Sequence, residues 1–187
     1  MRIIPIAYLA LSAALLAMSN SIHPPPLPKC VSGISEKDFS RVYYRDLPKD
    51  IRLVFSEMWN AEALLREYPT CLIAKRDLNG DGVKELIVTL PIGFSGGEVL
   101  EVFQMESGHY RNIGSFGVGS LSLDLREFKN GYYQVSNRSK GGVGYFVIVL
   151  FEFNGKAYCA ARVDSYEYVQ DQTVYVGTEY RDAAMCK

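Results

Sequence analysis

Phe128-Lys129-Asn130-Gly131-Tyr132-Tyr133 is the stretch on which the fold of this chain turns. Asn-Gly between aromatic residues signals a two-residue β-hairpin turn, because both central positions need φ > 0 and these two residues supply it cheaply. The pattern recurs on either side. Phe103 to Tyr110 carries Gly108, and Phe153 to Tyr158 carries Gly155, each time with small polar residues and a glycine between a Phe and a Tyr. Successive glycines lie 23 and 24 residues apart, and Gly82 precedes Gly108 by 26. A spacing of this size fits one hairpin plus its connection, so four hairpins in an antiparallel meander are expected.

Working outward, segments 71–76, 85–90, 99–104, 110–115, 121–128, 132–137, 144–153 and 158–163 are rich in Val, Ile, Tyr and Phe and read as strands. Segments 165–169 and 173–178 read either as two more strands or as a partner surface. Upstream the period changes. Ile51, Val54, Phe55, Met58, Ala61, Leu65 and Tyr68 recur at three- and four-residue steps, which predicts an amphipathic helix over 49–68 between Pro48 and Pro69. Trp59 reads as packing on that helix. The expected fold class is α+β: an antiparallel β-hairpin meander of about 8–10 strands, with one amphipathic N-terminal helix packed on it.

The 187 residues contain 20 Lys+Arg against 21 Asp+Glu, a formal net charge of −1. No basic block is present, which argues against a nucleic-acid partner. Arg2 precedes a 16-residue apolar run from Ile3 to Met18, followed by small polar residues, the layout of a secretory signal peptide. That run is short of the roughly 20 residues a spanning helix needs. Residues 1–21 are therefore expected to be a leader, residues 22–29 a stiff arm containing Pro24, Pro25, Pro26 and Pro28, and residues 30–187 one globular domain. A secreted or periplasmic monomer, not stably inserted in a membrane, follows from this reading. Cys30, Cys71, Cys159 and Cys186 all lie in the exported part, where disulfides persist. Three pairings are open, and the sequential one, Cys30–Cys71 with Cys159–Cys186, is preferred because it ties each terminal segment to the nearest part of the body.

The first turn of the series differs from the rest. Asp77-Leu78-Asn79-Gly80-Asp81-Gly82-Val83-Lys84-Glu85 places oxygen side chains at positions 1, 3, 5 and 9 and Gly at position 6. A calcium ion wants six to eight oxygens at about 2.3–2.6 Å, and alternate positions of a tight loop converge on one point. Asp77, Asn79, Asp81 and Glu85, with the carbonyl of Val83, are the candidate Ca²⁺ ligands. Position 12 is Val88 and a strand follows, so this is not an EF-hand. Over residues 77–85 and the flanking strands the sequence resembles the calcium loop of FG-GAP or VCBS-type repeats, which sits between two strands of a propeller blade. The loop occurs once, so the resemblance implies the loop and its hairpin and not the propeller. The later hairpins are similar to those of small exported bacterial proteins that combine one such loop with Asn-Gly turns.

Catalytic signals are weak. Gly93-Phe94-Ser95-Gly96-Gly97 matches the nucleophile-elbow pattern, but a strand-like segment follows where a helix is required. His109 is the only possible base that follows it, and Asp124, one of many acids, could be called the third member. The C-terminal segment, with Tyr166, Tyr168, Tyr175 and Tyr180 interleaved with acids, is the candidate partner surface. The expected function is an exported, non-catalytic calcium-binding module that binds a protein or envelope macromolecule. A small serine hydrolase at Ser95, or a purely structural envelope protein, is the alternative.

Overall fold

The computed structural model describes residues 23–58, 66, 69–90 and 98–182. Among the described residues eleven strands lie in two antiparallel sheets. β2 (Ser40–Tyr43), β3 (Thr70–Arg76), β4 (Glu85–Thr89), β5 (Glu98–Glu106) and β6 (His109–Val118) form one sheet in sequence order. β7 (Leu123–Lys129), β8 (Tyr132–Gly142), β9 (Tyr145–Phe153), β10 (Tyr158–Val169) and β11 (Gln172–Tyr180) form the other, with β1 (Ser32–Ile34) added beside β7. Among the described residues the α-helix is α1, Lys49–Met58. The rest of the helix expected over 49–68, Trp59 included, falls outside the described residues except Arg66.

The fold is therefore a two-sheet β structure, which corrects the expected helix-covered α+β meander. The hairpins follow one another as expected, but the chain leaves the first sheet after β6 and starts a second. β4 shows the physical reason, since all five of its residues are buried and both of its faces need cover. One ten-residue helix, about 15 Å long and 10 Å across, shields part of one face only. On that side Tyr44, Leu47, Ile51, Phe55, Cys71, Leu86, Val88 and Phe103 cluster. On the opposite face Ile87, Leu100, Val102, Ile113 and Phe116 meet Leu123, Leu125, Tyr132, Val135, Phe153 and Tyr158 of the second sheet. Aromatic edges interlock across this layer: the ring of Phe116 lies 4.6 Å from Phe151 and 5.5 Å from Tyr158.

Hydrogen bonds tie the sheets at their ends. Asn137 donates its side-chain amide to the Gly117 carbonyl at 3.0 Å beside the crossover. At the opposite end Leu78, in the 77–85 turn, is buried in the intersheet core, and its carbonyl accepts from the Tyr133 N–H at 2.8 Å.

Of the expected sequential pairing, the Cys30–Cys71 bridge is not formed. Cys30 and Cys71 carry free thiols. Cys71 points from β3 into the core beneath α1, and burial pushes its thiol pKa up to about 11, whereas Cys30 lies exposed ahead of β1 on the other sheet. Cys159 is disulfide-bonded, and Cys186 lies outside the described residues.

Candidate functional site

The 77–85 turn is built by its own side chains. Asp77 accepts from the N–H groups of Gly80 at 2.6 Å and Gly82 at 3.0 Å. Asn79 Oδ1 accepts from Asp81 N–H at 3.1 Å, and Asp81 Oδ1 from Val83 N–H at 2.6 Å. These are Asx-type bonds that hold the backbone of the turn. Gly80 and Gly82 take φ of 73° and 84°, where a Cβ is strained. Glu85, the ninth position, starts β4 and is almost fully buried, with Oε2 accepting from Leu78 N–H at 2.7 Å. Burial raises its pKa, the Leu78 and Glu85 N–H groups oppose this, and Asp81 and Asp77 push it further up. Both aspartates are thus close enough to Glu85 for their charge to act on its carboxyl.

The donor set is all oxygen, as a hard cation requires, and each carboxylate or amide oxygen bonded to one N–H retains a second lone pair. Asp77, Asn79, Asp81, Val83 and Glu85 therefore fit a calcium ion chemically. Among the described residues no group of three or more His, Cys, Asp or Glu is already drawn into a metal-ligating cluster.

A second constellation lies on the outer face of the six-stranded sheet. Register places Arg162 beside Leu150, Asp164 beside Ile148 and Tyr166 beside Phe146, so alternate residues of β10 share that face. Phe146 and Tyr166 stack with ring centroids 4.8 Å apart and planes 4° from parallel. Tyr168 lies 5.4 Å from Phe146, and Tyr175 of β11 meets the edge of Tyr166 at 5.7 Å. The guanidinium of Arg138 sits 3.8 Å above the Phe146 ring and donates to the Tyr168 hydroxyl. Beside this platform is a groove of about 380 Å³ whose lining includes Ser120, Arg138, Lys140, Tyr145, Phe146 and Tyr168.

Of the four tyrosines singled out in the sequence, three are brought together. Tyr180 pairs with Arg162 further along the sheet and is 69% exposed. Phe146 and Arg138 were not legible as site residues, because only strand register puts them beside tyrosines some twenty to thirty positions away. Ser95 falls outside the described residues. His109 opens β6 and faces Asp50 of α1 at 3.4 Å, while Asp124, on the other sheet, is paired with Arg126 at 2.6 Å. The two residues that a triad would join thus lie on different sheets, each beside a different partner. No protein-family model, curated protein or solved structure matches the chain.

Proposed function

We propose that the chain is an exported β-sandwich module that recognises a protein partner through the outer face of its six-stranded sheet, with its 77–85 turn stiffened by Ca²⁺. The observation that carries this reading is the group of Tyr166, Tyr168 and Tyr175 on the outer face around the buried Phe146, with Arg138 over that ring. Aromatic and arginine side chains concentrated on one accessible face are the composition of binding hot spots, since they provide large contact area with few rotors. Calcium would supply charge neutralisation for Asp77, Asp81 and Glu85. Those residues hold the turn against β8 through Leu78, so a stiffer turn fixes the relation of the two sheets. Among the described residues no helix is long and apolar enough to cross a membrane.

The test immobilises the full chain and exposes it to envelope or culture extract, with Ca²⁺ or with chelator. A specific protein should be retained, and Tyr166→Ala with Tyr168→Ala should abolish retention without loss of fold. Undiminished retention by the double variant would remove this face from the reading. Turnover of an ester or glycan substrate that disappears in Ser95→Ala would overturn the non-catalytic assignment.

A further inference from the structure

The proline-rich arm is not free of the domain. Residues 23–31 form neither helix nor strand, yet they cross the outer face of the six-stranded sheet, held by two arginines. Arg162 Nη1 donates to the Pro26 carbonyl at 3.2 Å and Nη2 donates to the Pro25 carbonyl. Arg126 Nη1 donates to the Pro28 carbonyl at 3.1 Å. Pro24, Leu27 and Pro28 are half-buried while Pro25 and Pro26 are exposed, so the extended segment lays one edge on the sheet.

The chemistry on the two sides is complementary. A run of prolines has carbonyl acceptors and no N–H donors, and in an extended form none of those acceptors is used internally. The sheet offers it guanidinium groups, which only donate. Arg162 is fixed for this task. Its Nε and Nη2 make a forked pair with Asp164 at 2.9 and 2.8 Å, and the two side chains are 7% and 1% exposed. Arg126 is held likewise by Asp124 at 2.6 Å and Ser136 at 2.8 Å. A surface arginine left to solvent needs no such support. Asp164 also accepts from Thr178, whose hydroxyl bonds to that of Tyr175 at 2.6 Å, so the arm's anchor is wired to the aromatic platform.

We propose that Arg126, Arg162 and the adjoining aromatic platform form a receptor site for an extended proline-rich peptide, and that residues 24–28 are a tethered copy of that ligand occupying it in cis. The partner is then a protein with an exposed proline-rich segment. The arm sets the threshold for engaging it, because the partner must displace a segment held at a local concentration of order millimolar. This deepens the protein-recognition half of the proposed function and does not depend on its calcium half.

The test uses the full chain and a fluorescent peptide with the sequence of residues 22–29, Ile-His-Pro-Pro-Pro-Leu-Pro-Lys, read by polarisation. Replacing the arm's anchors (Pro24→Ser, Pro25→Gly, Pro26→Ser, Leu27→Ser, Pro28→Gly) should tighten the apparent affinity for added peptide by roughly tenfold or more over the natural chain, as expected when a millimolar internal competitor is removed. In that arm-released background Arg162→Gln should abolish binding. Arg126→Gln, at the more exposed anchor, should weaken it severalfold and serves as the control where Arg162→Gln disturbs the fold. An alanine-for-proline version of the peptide should not compete. Peptide binding no stronger to the arm-released chain than to the natural one, or undiminished by both arginine substitutions, overturns the proposal. If the extract partner is still captured through the tyrosine face in that case, recognition stands and only the proline-rich ligand class falls; loss of both removes both.

Discussion

At the scale of single residues, the β10–β11 turn is the place where sequence and backbone disagree most. Gln170 and Asp171 take φ of 48° and 64°, the same left-handed pair that Asn130 and Gly131 adopt at 54° and 82° in the β7–β8 turn. Non-glycine residues there lose about 1 kcal/mol each through crowding of Cβ against the carbonyl. Asp171→Gly should therefore stabilise the protein by about 1 kcal/mol, partly offset by the freedom glycine adds to the unfolded chain, and denaturant titration measures it. A destabilised variant would show that Asp171 contributes through its side chain. Glu101 is the second residue with a measurable signature. It is buried on β5 and accepts from Asn112 and Ser115, each at 2.7 Å. Burial raises its pKa more than those two donors lower it. A raised pKa in the folded state means the proton is held more tightly than in the unfolded chain. Its stabilising contribution is complete below the ordinary carboxylate range and is lost as pH rises through the raised value. Glu101→Gln keeps a carbonyl for Asn112 and lets the Ser115 hydroxyl accept instead. Melting temperature plotted against pH should fall less steeply toward neutrality in Glu101→Gln than in the natural protein, and superimposable plots would refute the assignment.

At the scale of elements, β6 packs its backbone against β10 because Gly114 leaves room for it. A Cβ there would stand 3.1 Å from Tyr158 Cβ and 3.2 Å from Phe116 Cζ, both in the intersheet core. Tyr158 cannot retreat, since its hydroxyl is bonded to the Tyr133 carbonyl at 2.9 Å. Gly114→Ala should destabilise by about 1–3 kcal/mol, the usual range for overpacking, read as a lower denaturation midpoint with an unchanged slope. Nothing in the sequence marks Gly114 as more than a strand interruption, and the same limit applies to the fold. The hairpins at Gly108, Gly131 and Gly155 were legible because turn chemistry is local to two or three residues. The change of sheet after β6 was not, because Gly119-Ser120 looks like any other turn and the crossover is decided by which faces need cover. The unbroken apolar run Leu86-Ile87-Val88 held that information, since a strand covered on one face only would alternate. β1 and β2 are too short to show a period, and the Gln170-Asp171 turn lacks the glycine that would announce it. Of the candidate site, the oxygen donors of the 77–85 turn could be read from spacing. Phe146 and Arg138, brought to Tyr166 and Tyr168 by register, could not.

At the scale of the whole molecule, the 77–85 turn belongs to both sheets. Its ends continue β3 and β4, Leu78 fills the intersheet core, and the Leu78 carbonyl bonds to Tyr133 of β8. A ligand that orders this turn therefore acts on the union of the two sheets and not on one hairpin. Any ion that binds the folded chain alone stabilises it by mass action, by about 2.7 kcal/mol at one hundred times its dissociation constant. For a chain of this length each kcal/mol moves the melting temperature by about 2–4 °C, so saturating Ca²⁺ should raise it by about 5–10 °C over chelated protein. The rise should appear as a shift of one cooperative transition, because a contact shared by both sheets leaves no half that can melt alone. Asp77→Ala removes the carboxylate that organises Gly80 and Gly82, so its melting temperature should be lower at the outset and unresponsive to Ca²⁺. Leu78→Ala separates the two effects. It empties a core site and should cost about 2–5 kcal/mol, yet it leaves every oxygen donor in place and should keep most of the calcium-dependent shift. Differential scanning calorimetry of the natural chain and both variants, with Ca²⁺ and with chelator, decides the matter: a natural chain whose melting temperature is the same in both conditions has no calcium-stiffened turn.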